Sequence, residues 1–222
     1  MSPQANGRNI ILFGPPGVGK GAQAQILSHR YELPHLSTGD VIRDEIARQT
    51  PLGLRVKEAV NKGQFADDET VLGIVMSRID LNAYARGFVM DGVPRTVRQA
   101  EMLDSLLHER GRRISYALFI TAPEETILAR LAGRRICSKC GQTYHKEFKR
   151  PKIHGICDVC FGKVVHRQDD SPEAHRDRLR TYAEKTLPLE VYYKGTGILV
   201  HVNGNQTVDE VAQEIRTAIN GG

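Results

Sequence analysis

The chain has 222 residues, 40% of them hydrophobic and 26% charged, enough to bury the core of one or two domains. No apolar run approaches the roughly 18 residues of a membrane span, and the start of the chain carries no apolar leader, which excludes a membrane-spanning class and points away from secretion. Net charge is +5, yet residues 130–180 alone hold thirteen Lys/Arg against six Asp/Glu, so the rest of the chain is mildly acidic. A cationic segment set in an acidic body points to an anionic ligand there. The expectation is a folded, cytoplasmic protein without a membrane partner.

Residues 9–13 (Asn-Ile-Ile-Leu-Phe) form an apolar, β-branched run that predicts a buried strand ending at a glycine cluster. Residues 23–31 read as a helix with Ile26 and Leu27 inward, and 34–37 as a further short strand. Residues 40–62 read as two short helices divided around Thr50-Pro51, the second ending at Gly63. A helix over 68–81, a strand over 87–90 and a helix over 96–110 follow, the last with Ala100, Leu103, Leu106 and Leu107 on one face. Residues 114–120 are again a strand and 123–131 a helix. After an insertion over 133–170, the pattern resumes with a long helix over 172–193, kinked or broken near Pro188, a strand over 198–202 and a helix over 206–219. Strand–helix alternation at this spacing predicts an α/β fold, a parallel sheet covered by helices on both faces. The segments 40–62 and 133–170 lie outside that alternation.

The insertion holds all four cysteines, as Cys137/Cys140 and Cys157/Cys160. Two Cys-x2-Cys turns separated by sixteen residues match a tetrahedral zinc site, and Gly141 and Gly162 suit the tight turns. Four thiolates leave no open coordination position, so the metal is structural. His145, His154 and His166 read as surface residues, and Tyr144 and Phe148 as filling the small lobe's core.

Gly14-Pro15-Pro16-Gly17-Val18-Gly19-Lys20 lies between the first strand and the first helix. In that context glycines let the backbone fold so that N–H groups converge on phosphate oxygens, the helix N-terminus adds positive potential, and Lys20 supplies a cation. Lys20 is followed by Gly21 and Ala22, with no hydroxyl for magnesium.

Gly14 to Gly21 resembles the phosphate-binding loop of adenylate kinases. Further motifs agree in order along nearly the whole chain. Ser37-Thr38-Gly39-Asp40 with Arg43 resembles the nucleoside-monophosphate (NMP) site, and Asp91-Gly92-Val93-Pro94-Arg95 with Gln99 the family's Asp-Gly-Phe-Pro-Arg signature. Gly133-Arg134-Arg135, the cysteine insertion and Arg167 before Asp169-Asp170 resemble the long zinc-carrying lid; Arg176-x-Arg178-Leu179 matches the returning helix. The resemblance implies a P-loop kinase with a five-stranded parallel sheet, a core of 1–36, 67–132 and 171–222, an NMP-binding insertion over 37–66 and a lid over 133–170. It implies the reaction ATP + AMP = 2 ADP, with magnesium, in a monomer.

By family position, Gly14, Pro15, Pro16, Gly17, Val18, Gly19, Lys20 and Gly21 would hold the ATP phosphates, with Arg130 against the adenine. Thr38, Arg43, Ala66, Gly92, Arg95 and Gln99 would form the AMP site, Thr38 and Gln99 reading the base. Lys20, Arg95, Arg134, Arg167 and Arg178 would clamp the transferring group, Arg134 on the ATP side and Arg167 and Arg178 toward AMP. Asp91 would hold magnesium through water, making the absent hydroxyl at Ala22 tolerable. Val93 stands where the family usually has phenylalanine, and Arg150 precedes Pro151 where a proline pair is common. A kinase of UMP or CMP on the same fold, or GTP as donor, stays open at this stage. A zinc-ribbon nucleic-acid binder is disfavoured, since the basic segment offers only Tyr144, Phe148 and Phe161 for stacking.

Overall fold

Apolar strands that must be covered on both faces pair in parallel, joined by helices that cross over the sheet. That is the arrangement in the computed structural model of the protein, which describes residues 8–61, 66–166 and 172–221. The sheet is built from β1 (Arg8–Phe13), β2 (His35–Ser37), β3 (Gly87–Asp91), β4 (Tyr116–Thr121) and β8 (Leu199–Asn203), all parallel, in the order β2-β3-β1-β4-β8. The register sets Leu12 beside Asp91 and Phe13 beside Phe119. The carboxyl ends of the strands therefore share one edge, where ligands bind in open α/β sheets.

Side chains of β1 alternate between two buried layers. Ile10 and Leu12 face α1 (Lys20–Tyr31) and α9 (Val208–Asn220), packing with Leu27, Val89 and Ile215. Ile11 and Phe13 face α4 (Asp68–Ile79), α5 (Val97–His108) and α8 (Leu189–Thr196), packing with Leu72, Leu103, Phe119 and Tyr193. On α1 the buried face is Gln23, Ala24 and Leu27 rather than Ile26 with Leu27. Gln23 is accommodated because its amide donates to the Val208 carbonyl at 2.8 Å.

The first excursion consists of α2 (Thr38–Ala47) and α3 (Pro51–Asn61). The two helices cross so closely at Gly53 that a Cβ there would lie 2.2 Å from the Glu45 carbonyl oxygen. This pair is tied to the core by Arg78 of α4, whose guanidinium donates to Glu45 and Asp44, each at 2.8 Å. The second excursion leaves after α6 (Glu124–Gly133) as an antiparallel sheet of β5 (Arg134–Cys137), β6 (Thr143–His145) and β7 (Val164–Val165). Gly63, Asp169 and Asp170 lie outside the described residues.

The long helix expected over 172–193 is α7 (Pro172–Thr181), a π turn at Tyr182–Thr186, and then α8. Pro188 has no N–H to give the Glu184 carbonyl, and its ring crowds that carbonyl. The wider π turn, closed by a bond from the Leu187 N–H to the Tyr182 carbonyl at 2.9 Å, absorbs the conflict.

Leu103 is fully buried between α5 and the sheet. Leu103→Ala is expected to cost about 2–5 kcal/mol, and thermal unfolding should register it as a fall of roughly 2–4 °C in Tm per kcal/mol.

Candidate functional site

The site begins where β1 stops. At Gly14, φ is +142° and a Cβ would lie 2.1 Å from the Ile120 carbonyl oxygen, so the chain can turn here only with glycine. Gly17 and Gly19 are also left-handed, and Gly19 opens α1 without a side-chain cap. Uncapped N–H groups at this helix start are the anion-binding device of a phosphate loop, which is why α1 begins three residues before the periodicity predicts it.

The Lys20 ammonium folds back on the loop, donating to the Gly14 and Pro15 carbonyls, each at 2.8 Å. Desolvation dominates its ionisation: against the opposing charge of Asp91, and helped by Arg95 and Arg134, it lowers the pKa from 10.5 to about 7. Lys20, Asp91, Arg95 and Arg134 thus share one electrostatic locality, although 114 positions of sequence separate the first from the last. Three of the four are cationic, an arrangement that an anion would relieve.

Around Gly92 the second half of the site converges. A Cβ on Gly92 would lie 3.5 Å from the Thr38 Cβ and 3.6 Å from the Arg95 guanidinium. Thr38 is buried and its hydroxyl has no partner. The Gln99 amide is engaged, its oxygen accepting from the Arg95 N–H at 2.7 Å and its nitrogen donating to Asp68 at 2.7 Å. Arg95 also donates through Nε to the Gly92 carbonyl at 2.7 Å. Arg43 is exposed and pairs with Asp40, while Ala66 packs against the core just before the Asp67 cap of α4. Arg178 lies on α7, four residues before the π turn. Arg167 falls outside the described residues.

Two features escaped the sequence reading. His35 of β2 meets the Asp91 carboxylate at 2.5 Å and fixes its orientation. The pairing of β2 with β3 puts them together, which only the strand order could have told. The loop Gly204–Gln206 after β8 is the other. Arg130 reaches out of α6 to the carbonyls of Val18, Gly204 and Gln206 at 3.2, 2.8 and 3.0 Å, binding this loop to the phosphate loop. The signal was an Asn-Gly-Asn turn at the carboxyl end of a parallel strand.

The four cysteine sulfurs lie within 4.8 Å of one another, with Cys137–Cys160 at 3.4 Å and Cys140–Cys157 at 3.6 Å. A tetrahedral ion with bonds of about 2.3 Å to sulfur needs sulfurs roughly 3.8 Å apart, so the donor set fits a soft or borderline divalent cation. Burial raises the Cys140 thiol to about 12, with its sulfur neighbours adding to the effect. At Cys157 burial acts the same way but is outweighed by hydrogen bonds from the Tyr144 hydroxyl and backbone N–H groups, leaving it at about 6. Four thiolates this close require a cation between them. Tyr144 is buried under the knuckle. Phe148, by contrast, is 69% exposed and stacks on His145 instead of filling the lobe. His145 is not among the clustered metal donors and is half-buried rather than fully exposed, its ring packing against Gly133, where a Cβ would lie 2.1 Å from Nε2.

The adenylate kinase family model matches residues 12–198. Among curated relatives, the adenylate kinase of Clostridium tetani is 44% identical over 211 residues, covering 95% of this chain and 98% of the relative. Those of Clostridium botulinum and Clostridium acetobutylicum are each 46% identical, covering 91% and 95% of this chain and 94% and 98% of the relatives.

A polyanion placed beside Lys20 must raise its pKa again. Above pH 7, binding of a triphosphate should therefore take up a proton, and affinity should fall as pH rises past 7. Calorimetric titration at pH 8 in buffers of different ionisation enthalpy reads this directly; identical heats in every buffer contradict it.

Proposed function

The chain belongs to the adenylate kinase family, a phosphotransferase that converts ATP and AMP reversibly to two ADP, and from that premise we propose the following division of labour among its residues. The observation that carries it is the convergence of Lys20, Arg95 and Arg134 on one partly buried locality beside an uncapped helix start.

The attacking oxygen of AMP is already ionised near neutral pH, so the reaction needs no general base. It needs two polyanions neutralised and aligned in line, which is work for positioning and positive charge. Gly14 to Gly21 hold the β- and γ-phosphates of ATP through backbone N–H groups, and Lys20 exchanges its two loop carbonyls for phosphate oxygens. Arg130, with its guanidinium edge spent on three carbonyls, offers a flat face to the adenine. Arg43 and Arg95 hold the AMP phosphate, and Arg134, Arg167 and Arg178 follow the transferring group. The partnerless Thr38 hydroxyl supports a base-reading role, since a buried hydroxyl without a hydrogen bond is costly until a ligand supplies one. Gln99 retains one N–H and one lone pair for the base while its other contacts set Arg95.

In the step itself, an AMP phosphate oxygen forms a bond to the γ-phosphorus as the bond from the β–γ bridging oxygen breaks. The leaving oxygen keeps the electron pair, on the ADP that was ATP. Magnesium, when bound with ATP, offsets charge on the β- and γ-oxygens. Asp91, oriented by His35 and adjacent to Gly21, would hold its water shell, and the absence of a hydroxyl at Ala22 leaves this carboxylate as the nearby hard oxygen donor.

We further propose a core of 1–36, 67–132 and 171–222, with 37–66 and 133–170 as separately moving lobes that close to exclude water. Zinc in the four-cysteine site stiffens a lobe of roughly 38 residues whose apolar core is too small to do so alone. A cytoplasmic monomer is in keeping with this, and among the described residues no helix is long and apolar enough to cross a membrane.

Phosphoryl transfer from magnesium-ATP should be measured to AMP, UMP, CMP and GMP in parallel, with every product quantified. ADP from AMP alone is expected; transfer to UMP or CMP overturns the base-site assignment. Removing zinc with a chelator should lower Tm and loosen the lid without removing a phosphate ligand, and an unchanged melting curve after confirmed metal loss defeats the structural role.

A further inference from the structure

Thr186 closes the π turn and is 6% exposed. A threonine inside a helix ordinarily turns its hydroxyl back on the carbonyl four residues earlier, as Thr181 does on Asp177 at 2.8 Å. The Thr186 hydroxyl instead donates to the Arg95 carbonyl at 2.8 Å, across 91 positions of sequence.

The Arg95 backbone is therefore gripped on both sides. Its N–H is held by Gln99 and its C=O by Thr186, while its side chain is steadied by the Gly92 carbonyl. Arg95 stands just before the Thr96 cap of α5, outside the helical ladder, so its backbone depends on side chains for orientation. The clasp also reaches further. The helix that ends in this π turn is α7, which carries Arg178, and the helix that follows is anchored in the core by Leu189 and Tyr193, both fully buried.

We propose that Thr186 is a positioning residue for phosphoryl transfer: its hydroxyl fixes the Arg95 backbone, and through it the guanidinium presented to the acceptor phosphate. Because Thr186 lies in the π turn that follows α7, the same bond links the arm bearing Arg178 to the acceptor side. The inference rests on the reading of Arg95 as a ligand of the AMP phosphate.

The test uses Thr186→Val, Thr186→Ser, Arg95→Lys and the double variant Thr186→Val/Arg95→Lys, each with Tm and with KM for AMP and for ATP measured separately. Losing one hydrogen bond to this backbone should reduce kcat/KM for AMP by about fivefold to tenfold while KM for ATP stays within about twofold. Thr186→Ser, which keeps the hydroxyl, should restore AMP kinetics. In the Arg95→Lys background, Thr186→Val should cause little further loss, because both changes act through one group. An AMP constant unchanged in Thr186→Val overturns the proposal, as does equal damage to AMP and ATP constants, or full additivity in the double variant. If Thr186→Val lowers Tm enough to compromise the measurement, Thr186→Ser against the parent and the Arg95→Lys cycle at reduced temperature decide the matter by the same criteria. Unaltered AMP kinetics in Arg95→Lys would instead indict the assignment of Arg95, an outcome separable from failure at Thr186.

Discussion

A partly buried ammonium whose charge is opposed by desolvation and by two guanidinium groups is the constraint on which this molecule is organised. Lys20 is folded onto the carbonyls of its own loop, and burial together with Arg95 and Arg134 works against its charge. Nothing in the apolar core gains from placing these groups together. The sheet brings them to one edge because the loop after β1 and the ends of β3 and α6 all open there, an arrangement whose electrostatic cost an anion would offset. Stability and ligand binding thus pull in opposite directions at this edge, while both buried layers on either side of β1 pull only toward a rigid frame.

That frame stands apart from the two excursions. Strands β1, β3 and β4 carry the phosphate loop, Asp91 and the segment that backs Gly14, and they are buried on both faces. The excursions leave directly from the ends of β2 and α6. One is two crossed helices whose only described ion pairs to the core run through Arg78. The other is a small antiparallel sheet around four sulfurs.

Much of this was legible in the sequence, for reasons that differ by element. The strands at 9–13, 87–90 and 114–120 are short apolar runs between turn signals, and buried parallel strands have few other spellings. The glycine loop could be read because φ > 0 at Gly14, Gly17 and Gly19 is a demand that composition displays. The cysteine pairs could be read because ligand spacing is local. What could not be read was long-range partnership. Nothing near Phe148 in the sequence says that it will stack outward on His145 while Tyr144 takes the interior. His35 reaches Asp91 only because β2 lies beside β3, and Thr186 meets the Arg95 carbonyl across 91 positions of sequence. The start of α1 was misplaced by three residues since its first turn is held by the phosphate loop, not by apolar periodicity.

The unlike fastenings of the two excursions have a physiological consequence. Arg78 holds the helical pair by charges that are partly exposed, so dissolved salt weakens that clasp. Four clustered sulfurs sit in the other lobe, and a cation held between them would be indifferent to ionic strength but answerable to oxidants and to the supply of metal. Rising salt and a shortage of metal would therefore act on different excursions, one on the helical pair and the other on the cysteine lobe. The shared sheet between them would register neither.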